Sequence, residues 1–287
     1  MDTYIPGAPA GNIGNSRHNL GSFGMHVGTM SWQYGTTEIC TFCHTPHFTN
    51  VGANFAYGLG PMWNRGSSAP TSFTAYGATI GGTTIANTDV GSTTLACLSC
   101  HDGVTTFDTL ANAPGKGRIV QGGSDRGFAF YDFVGSVPVA DYMTSARLVI
   151  GLNLTDDHPV SVVYNENVAG LRPTNTVISS IDLTSELNSS ATTYDNGNLT
   201  KNLWSVRGFI SDTATIQNLL RGPYGAPGNR VECGSCHDPH FNNKSWQEID
   251  STYTSVTAQQ EGLTNGQFLR RVGGNTGSGV CRTCHEK

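Results

Sequence analysis

All eight cysteines of the chain fall in four copies of one short pattern: Cys40-Thr-Phe-Cys43-His44, Cys97-Leu-Ser-Cys100-His101, Cys233-Gly-Ser-Cys236-His237 and Cys281-Arg-Thr-Cys284-His285. Cys-x-x-Cys-His is the attachment pattern of c-type haem. Each sulfur forms a thioether to one of the two porphyrin vinyl groups, and the adjoining histidine supplies the proximal nitrogen of the iron. Other chemistries also use paired cysteines. A structural zinc ribbon gives no reason for a histidine directly after the second cysteine of every pair. A disulfide across two residues closes a strained, redox-type ring. Four matches that use every cysteine point to four covalent c-type haems, with His44, His101, His237 and His285 as proximal ligands.

The opposite face of each iron needs a ligand too. Nine histidines less the four proximal ones leave His18, His26, His47, His158 and His240 for four distal positions. That near match predicts bis-histidine ligation throughout, which closes both axial positions and leaves no place for a substrate. Methionine would raise the potential instead. Met1, Met25, Met30, Met62 and Met143 show no regular placement relative to the haem motifs.

Two of the spare histidines recur in one context, His44-Thr-Pro-His47-Phe48 and His237-Asp-Pro-His240-Phe241. Residues three apart on a helical turn share a face, with Cβ atoms about 5 to 6 Å apart. One imidazole cannot reach round the porphyrin that its neighbour already holds, so His47 and His240 are expected to ligate different irons from His44 and His237. Each such segment would then bring two porphyrins into close contact. The pattern also exposes an internal repeat. Cys-x-x-Cys-His-x-Pro-His-Phe is followed by a plain Cys-x-x-Cys-His in both halves, Cys40 by Cys97 and Cys233 by Cys281.

On these motifs the chain resembles the doubled-CXXCH multihaem cytochromes. The likeness extends to Ser16-Arg-His18-Asn-Leu20, to Cys97-Leu-Ser-Cys100-His101-Asp-Gly103 and to Asp156-Asp-His158-Pro-Val-Ser161. It implies that His18 and His158 are distal ligands, with His26 as the surplus; His26 follows His18 closely in the chain and stays open as the alternative. More narrowly, the chain resembles the extracellular tetrahaem cytochromes that polymerise into nanowires. That likeness implies stacked bis-histidine haems and an axial histidine supplied by an adjacent subunit. It also implies export, because c-type haem is attached outside the cytoplasm. No charged n-region and apolar h-region precede Tyr4, so the sequence is expected to be a mature product. Sequons at Asn153, Asn188 and Asn198 are compatible with surface loops of an exported protein.

The elements that must position these groups are short. Charged residues make up 13% of the 287-residue chain, against roughly 25% in ordinary soluble domains, and 36 glycines with 12 prolines disfavour long surface helices. With a net charge of −5 and 9% aromatic residues the chain is nonetheless not of disordered type. No apolar run reaches the roughly eighteen residues of a membrane span, and no Lys/Arg cluster offers a footprint for nucleic acid. The expected fold is mostly irregular and loop-rich, with a few short helices and strands around a core formed by the four covalent haems. Three segments follow: 1–110, a first paired-haem module with an N-terminal ligand arm; 111–232, a haem-free insert carrying a distal histidine; and 233–287, a second paired-haem module. Short strands are expected within 136–150, 160–163 and 176–183. Helical turns are expected after each motif and within 213–220 and 245–249. Phe42, Phe48, Trp63, Phe241 and Trp246 are candidate aromatics for packing against porphyrin edges.

The expected function is electron transfer without catalysis, in a head-to-tail filament of copies of this chain that passes electrons to redox partner proteins or extracellular acceptors. A fourth motif close to one end and a Gly- and Asn-rich histidine arm at the other suit a heterologous contact, which propagates unless it closes a ring. A soluble periplasmic shuttle with every ligand in cis is the first competitor. A multihaem reductase, which needs an open iron, is the second. His47→Ala should convert one low-spin haem to high spin, read from the visible and electron paramagnetic resonance spectra; unchanged spectra would remove His47 from the ligand set.

Overall fold

The computed structural model describes residues 18, 20, 39–47, 62–65, 72–76, 82–86, 89–107, 109–112, 130–131, 138–140, 142–144, 148–183, 202–222, 228–240, 268–272 and 274–286. His26, Met25, Met30, Phe48, Phe241, Trp246, Asn188, Asn198 and the 245–249 helix lie outside the described residues. The strands are β1 (Ser72–Ala75), β2 (Thr83–Ala86), β3 (Phe130–Tyr131), β4 (Pro138–Ala140), β5 (Val162–Val163), β6 (Trp204–Val206), β7 (Phe209–Ser211) and β8 (Arg230–Val231). The helices are α1 (Ser92–His101), α2 (Ile216–Leu219), α3 (Cys233–Cys236) and α4 (Gly279–Cys284), with 3-10 turns at Cys40–Phe42, Ile178–Ser180 and Thr276–Ser278. No helix among the described residues is long and apolar enough to cross a membrane.

The backbone falls into two compact units, each assembled from separated stretches. One comprises Gly14–Val162 and Arg221–Cys233; the other comprises Met1–Ile13, Val163–Leu220 and Gly234–Lys287. The stretch 111–232, between the second and third motifs, therefore contributes chain to both.

In the unit containing Gly14–Val162, β1 and β2 pair antiparallel from Ser72↔Ala86 to Ala75↔Thr83. Phe73 and Ala75 point from β1 into a cluster with Val90, Leu95, Leu98 and Leu154. Each large apolar side chain buried there contributes roughly 2 kcal/mol by removal from water. A second cluster of Phe42, Phe107, Leu110 and Met143 has Leu20, Cys43, Cys100, Leu148 and Val149 packed against it. α1 links the two clusters, because Leu95 and Leu98 face the first while Cys100 reaches the second. In the other unit β6 and β7 form a hairpin with register Trp204↔Ser211 to Val206↔Phe209. Its turn uses Arg207 at φ 52° and Gly208 at φ 83°, the left-handed conformations a two-residue hairpin loop requires.

Expected and observed elements differ in two places. The 176–183 stretch is not a strand: Ile178–Ser180 is a 3-10 turn, with Ile178 N–H bonded to Ala214 O (2.8 Å). Buried Ile178 and Ile181 fit that turn as well as an extended chain, and alternation over so short a run does not separate them. The helical turns also lie on the Cys-x-x-Cys residues instead of after them. Within 213–220 the expected helix is present as α2, with Thr215 and Asn218 forming a reciprocal capping box.

The exit from α1 rests on Asp102 and Gly103. Asp102 Oδ1 accepts from the backbone N–H of Val104 (2.9 Å) and Thr105 (2.8 Å). Gly103 sits at φ 73°, and a Cβ there would lie 2.8 Å from Val149 Cγ1. Gly151 has φ 86° but no atom within 4 Å of an added Cβ. Gly103→Ala is therefore expected to destabilise the protein by more than Gly151→Ala, whose cost is the left-handed backbone alone, about 1–2 kcal/mol. Denaturant midpoints of the two variants check the order.

Candidate haem-attachment sites

Each Cys-x-x-Cys-His motif starts as a helical turn. His44 N–H donates to Cys40 O (2.7 Å) and His285 N–H to Cys281 O (2.9 Å), while Cys97 to His101 lie inside α1. At about 100° per residue this geometry sets the first cysteine, the second cysteine three residues on and the histidine four residues on along one face. The two intervening residues turn the other way. Phe42, Leu98 and Ser99, Gly234 and Ser235, and Arg282 and Thr283 are all buried. Every cysteine and proximal histidine of the motifs is half-buried or exposed. The polypeptide thus grips the inner residues of each turn and sets two thiols and an imidazole together along another face, where Cys43 and Cys100 reach an apolar cluster and Cys97 meets Cys233.

None of the eight thiols is in a disulfide. Burial and the neighbouring Cys100 push the Cys43 thiol up to about 12, and burial pushes Cys284 up to about 11. A hydrogen bond with the Cys233 thiol, together with burial, pushes Cys97 up as well. Cys97 and Cys233, from opposite halves of the sequence repeat, are therefore neighbours within one unit, where Cys43 and Cys100 also line a single apolar cluster.

The Nδ1 atoms of His101, His158 and His240 are engaged. His101 Nδ1 lies 2.7 Å from Leu148 O, His158 Nδ1 lies 2.9 Å from Pro159 O, and His240 Nδ1 lies 3.1 Å from Asp238 Oδ1. A carbonyl or carboxylate at Nδ1 fixes the proton there and leaves the Nε2 lone pair for a metal, the usual support of an imidazole ligand. Burial lowers His101, against the hydrogen bond to Leu148 and the charge of Asp102, and so favours the neutral ring. His18 is half-buried beside His101, with ring centroids 6.3 Å apart and planes at 90°. His47 and His158 are exposed, as is His240. His158 is tied to the segment entering the third motif, since Ser161 N–H donates to Val231 O (2.7 Å) and Ser161 Oγ donates to Glu232 (3.1 Å). Among the described residues no three His, Cys, Asp or Glu side chains gather as a chelating site for a bare ion. A porphyrin supplies four donors itself and asks the protein for only one axial group on each face, so the thiol pairs and singly presented imidazoles fit haem.

A second layer of positioning residues was not foreseen from the sequence. Thr45 N–H donates to Met62 O and Asn64 N–H to Cys43 O, both at 2.8 Å. Likewise Asp238 N–H donates to Phe268 O and Arg270 N–H to Cys236 O, again at 2.8 Å. Met62 and Phe268 share a left-handed φ, 58° and 56°. Residues 62–65 thus clamp the first motif as 268–271 clamp the third. Both clamps end in a buried arginine. Arg65 donates to the carbonyls of Phe107 (2.8 Å), Ser99 (2.7 Å) and Thr106 (2.8 Å). Arg271 donates to Asn202 Oδ1 and Gly274 O, both at 2.9 Å. Gly279, at the start of α4, lies so close that a Cβ would meet the guanidinium at 2.4 Å. The aromatics are placed in part: Phe42 is in the cluster beside Cys43, and the Trp63 ring meets His44 edge-on at 5.7 Å.

The fourth motif is held by 164–172. Arg172 N–H donates to Cys284 O (2.9 Å), Glu286 N–H donates to Gly170 O (2.8 Å), and Leu171 bridges His285. Arg172 also pairs with Glu286 at 3.4 Å, a partly exposed contact worth at most about 1 kcal/mol.

Compared with known proteins, the chain matches no family model and no curated protein.

Glu232, directly before Cys233, is buried between the hydroxyls of Thr94 and Ser161. Burial raises its carboxyl, against the pull of those hydroxyls and of Arg230. An acid raised in the folded state stabilises the fold below its unfolded value, and that contribution is lost as pH rises through the folded value. Glu232→Gln should remove this loss, so wild type and variant should diverge as pH climbs above the ordinary carboxylate range. Denaturant unfolding of the protein across pH checks the sign.

Proposed function

We propose that the protein is a tetrahaem c-type cytochrome that transfers electrons. Haem is held by the cysteine pairs Cys40/Cys43, Cys97/Cys100, Cys233/Cys236 and Cys281/Cys284, with proximal His44, His101, His237 and His285. The distal positions fall to His18, His47, His158 and His240. The observation that carries this reading is the common form of the four motifs, with the residue before the second cysteine buried in each and two thiols and an imidazole set along one face of a single turn. When bound, each haem supplies a one-electron iron couple whose potential follows its axial ligands, hydrogen bonding and burial. The chain's own work is to present the thiols, orient the imidazoles through Nδ1 and set the surrounding polarity. No residue needs to bind or transform a substrate, and the reading is therefore of a carrier and not an enzyme.

We further propose that the carrier is exported and assembles head to tail into an extracellular filament, on the resemblance carried by the His-x-Pro-His, Arg-His-Asn-Leu and Asp-His-Pro-Val segments. A soluble periplasmic shuttle is the second reading. Its support is the contact of His18 with His101 of its own chain, which engages one of the histidines otherwise available to a neighbour.

The loaded protein should exceed its 30.4 kDa polypeptide mass by four haems that survive denaturation, and its reduced form should not take up carbon monoxide. A bare polypeptide mass would overturn the cytochrome, and rapid carbon monoxide binding would revive a reductase. Negative-stain micrographs then separate the assemblies: filaments support the wire, and a monomer at high concentration supports the shuttle.

A further inference from the structure

We infer that His18 and His101 of one chain are the two axial ligands of a single iron, that of the haem held by Cys97 and Cys100. The inference rests on the haem reading above and adds a pairing, an intrachain origin for the ligand, and a choice between His18 and His26.

Two imidazoles on opposite faces of one metal have closely constrained spacing. Imidazole nitrogen keeps about 2.0–2.1 Å from a first-row ion such as zinc, and each ring centre lies about 1 Å beyond its nitrogen, so the two centroids fall about 6 Å apart. The His18 and His101 centroids are 6.3 Å apart. Edge-to-face packing of two rings spans about 4.5–7 Å and so includes the same distance. Three further observations favour the ligand pair. First, His101 follows Cys100 at the end of α1, on the face that carries Cys97 and Cys100. Second, its Nδ1 is occupied by Leu148 O at 2.7 Å, which directs Nε2 outward as the ligating atom. Third, Leu20, two positions after His18, packs against the apolar cluster that Cys100 and Leu148 also line. The segment carrying His18 is thus fixed against the same cluster as the motif it would complete, although the first haem motif lies between the two histidines in the sequence.

The consequence is that this iron is closed within one polypeptide. It should be six-coordinate and low spin whether the protein is assembled or monomeric. An axial histidine passed between subunits would have to come from elsewhere in the chain.

The test uses the haem-loaded full chain. His18→Ala should retain four haems by mass while one of the four turns high spin, and added imidazole should return it to low spin. His18→Met carries the same test if the alanine variant does not accumulate: one haem should gain a methionine-to-ferric charge-transfer band and a raised potential. Both substitutions are repeated in Cys97→Ala/Cys100→Ala protein, which should carry three haems. There His18→Ala should add no high-spin signal. Four low-spin haems in His18→Ala, or a high-spin signal that persists in the three-haem protein, would overturn the pairing. A wild-type chain that turns one haem high spin on dilution to monomers, with the His18→Ala signature, would overturn the intrachain origin. A wild-type mass without haem would instead defeat the cytochrome reading itself.

Discussion

Buried guanidinium groups bonded to backbone carbonyls hold the motif turns of this protein in place. Taking an ion out of water costs several kcal/mol even after relaxation, and the cost is offset only where its donors are matched. Arg65 meets three carbonyls, two of them on the loop that follows α1 and one on Ser99 inside the second motif. Arg270 pairs with Asp238 at 3.1 Å and bonds to Gly234 O and His237 O around the third motif. Arg271 supports the turn that leads to the fourth. A chain with only 13% charged residues has placed some of its few cations inside, where each fixes several loop backbones at once.

This economy suits a fold without long elements. α1, the longest helix described, has ten residues, and the strand pairs are two to four residues long. Isolated helices and hairpins of that size are marginal in water. Their positions follow instead from nonlocal backbone bonds, such as the paired 2.8 Å contacts that join 62–65 to the first motif and 268–271 to the third. The stretch between the second and third motifs shares in this work. Leu148 orients His101, Ser161 ties the His158 segment to Glu232, and 164–172 pairs with the end of the fourth motif. Its described residues thereby support the motif turns within each unit.

The same arrangement suits the proposed carrier. Thiols and imidazoles lie along one face of each turn, and residues between the cysteines are buried, so each turn is anchored beside the groups it carries. Asp238 shows the electrostatic side of this design. Burial would raise its carboxyl, yet His240, the Arg270 guanidinium and the His240 N–H hold it down at about 2. It therefore stays an anion that orients the His240 ring.

Much of the candidate site was legible in the sequence, because the chemistry is local. Cys-x-x-Cys-His marks the candidate attachment residues by spacing alone, and a second histidine three positions on marks His47 and His240 as candidate distal ligands. The composition likewise disfavours long helices, and the 213–220 helix was readable as a short local turn. What the sequence could not decide is everything that depends on residues distant in the chain. Nothing in Met62-Trp-Asn-Arg65 and Phe268-Leu-Arg-Arg271 marks them as equivalent clamps, since backbone bonds and a shared left-handed φ leave little trace in side-chain identity. The 176–183 stretch became a 3-10 turn whose partner, Ala214, lies beyond the β6–β7 hairpin, far from Ile178 in the chain. The meeting of His18 with His101, and of Cys97 with Cys233, belongs to tertiary structure for the same physical reason: spacing along the chain sets which groups share a turn, while only packing sets which turns share a neighbourhood.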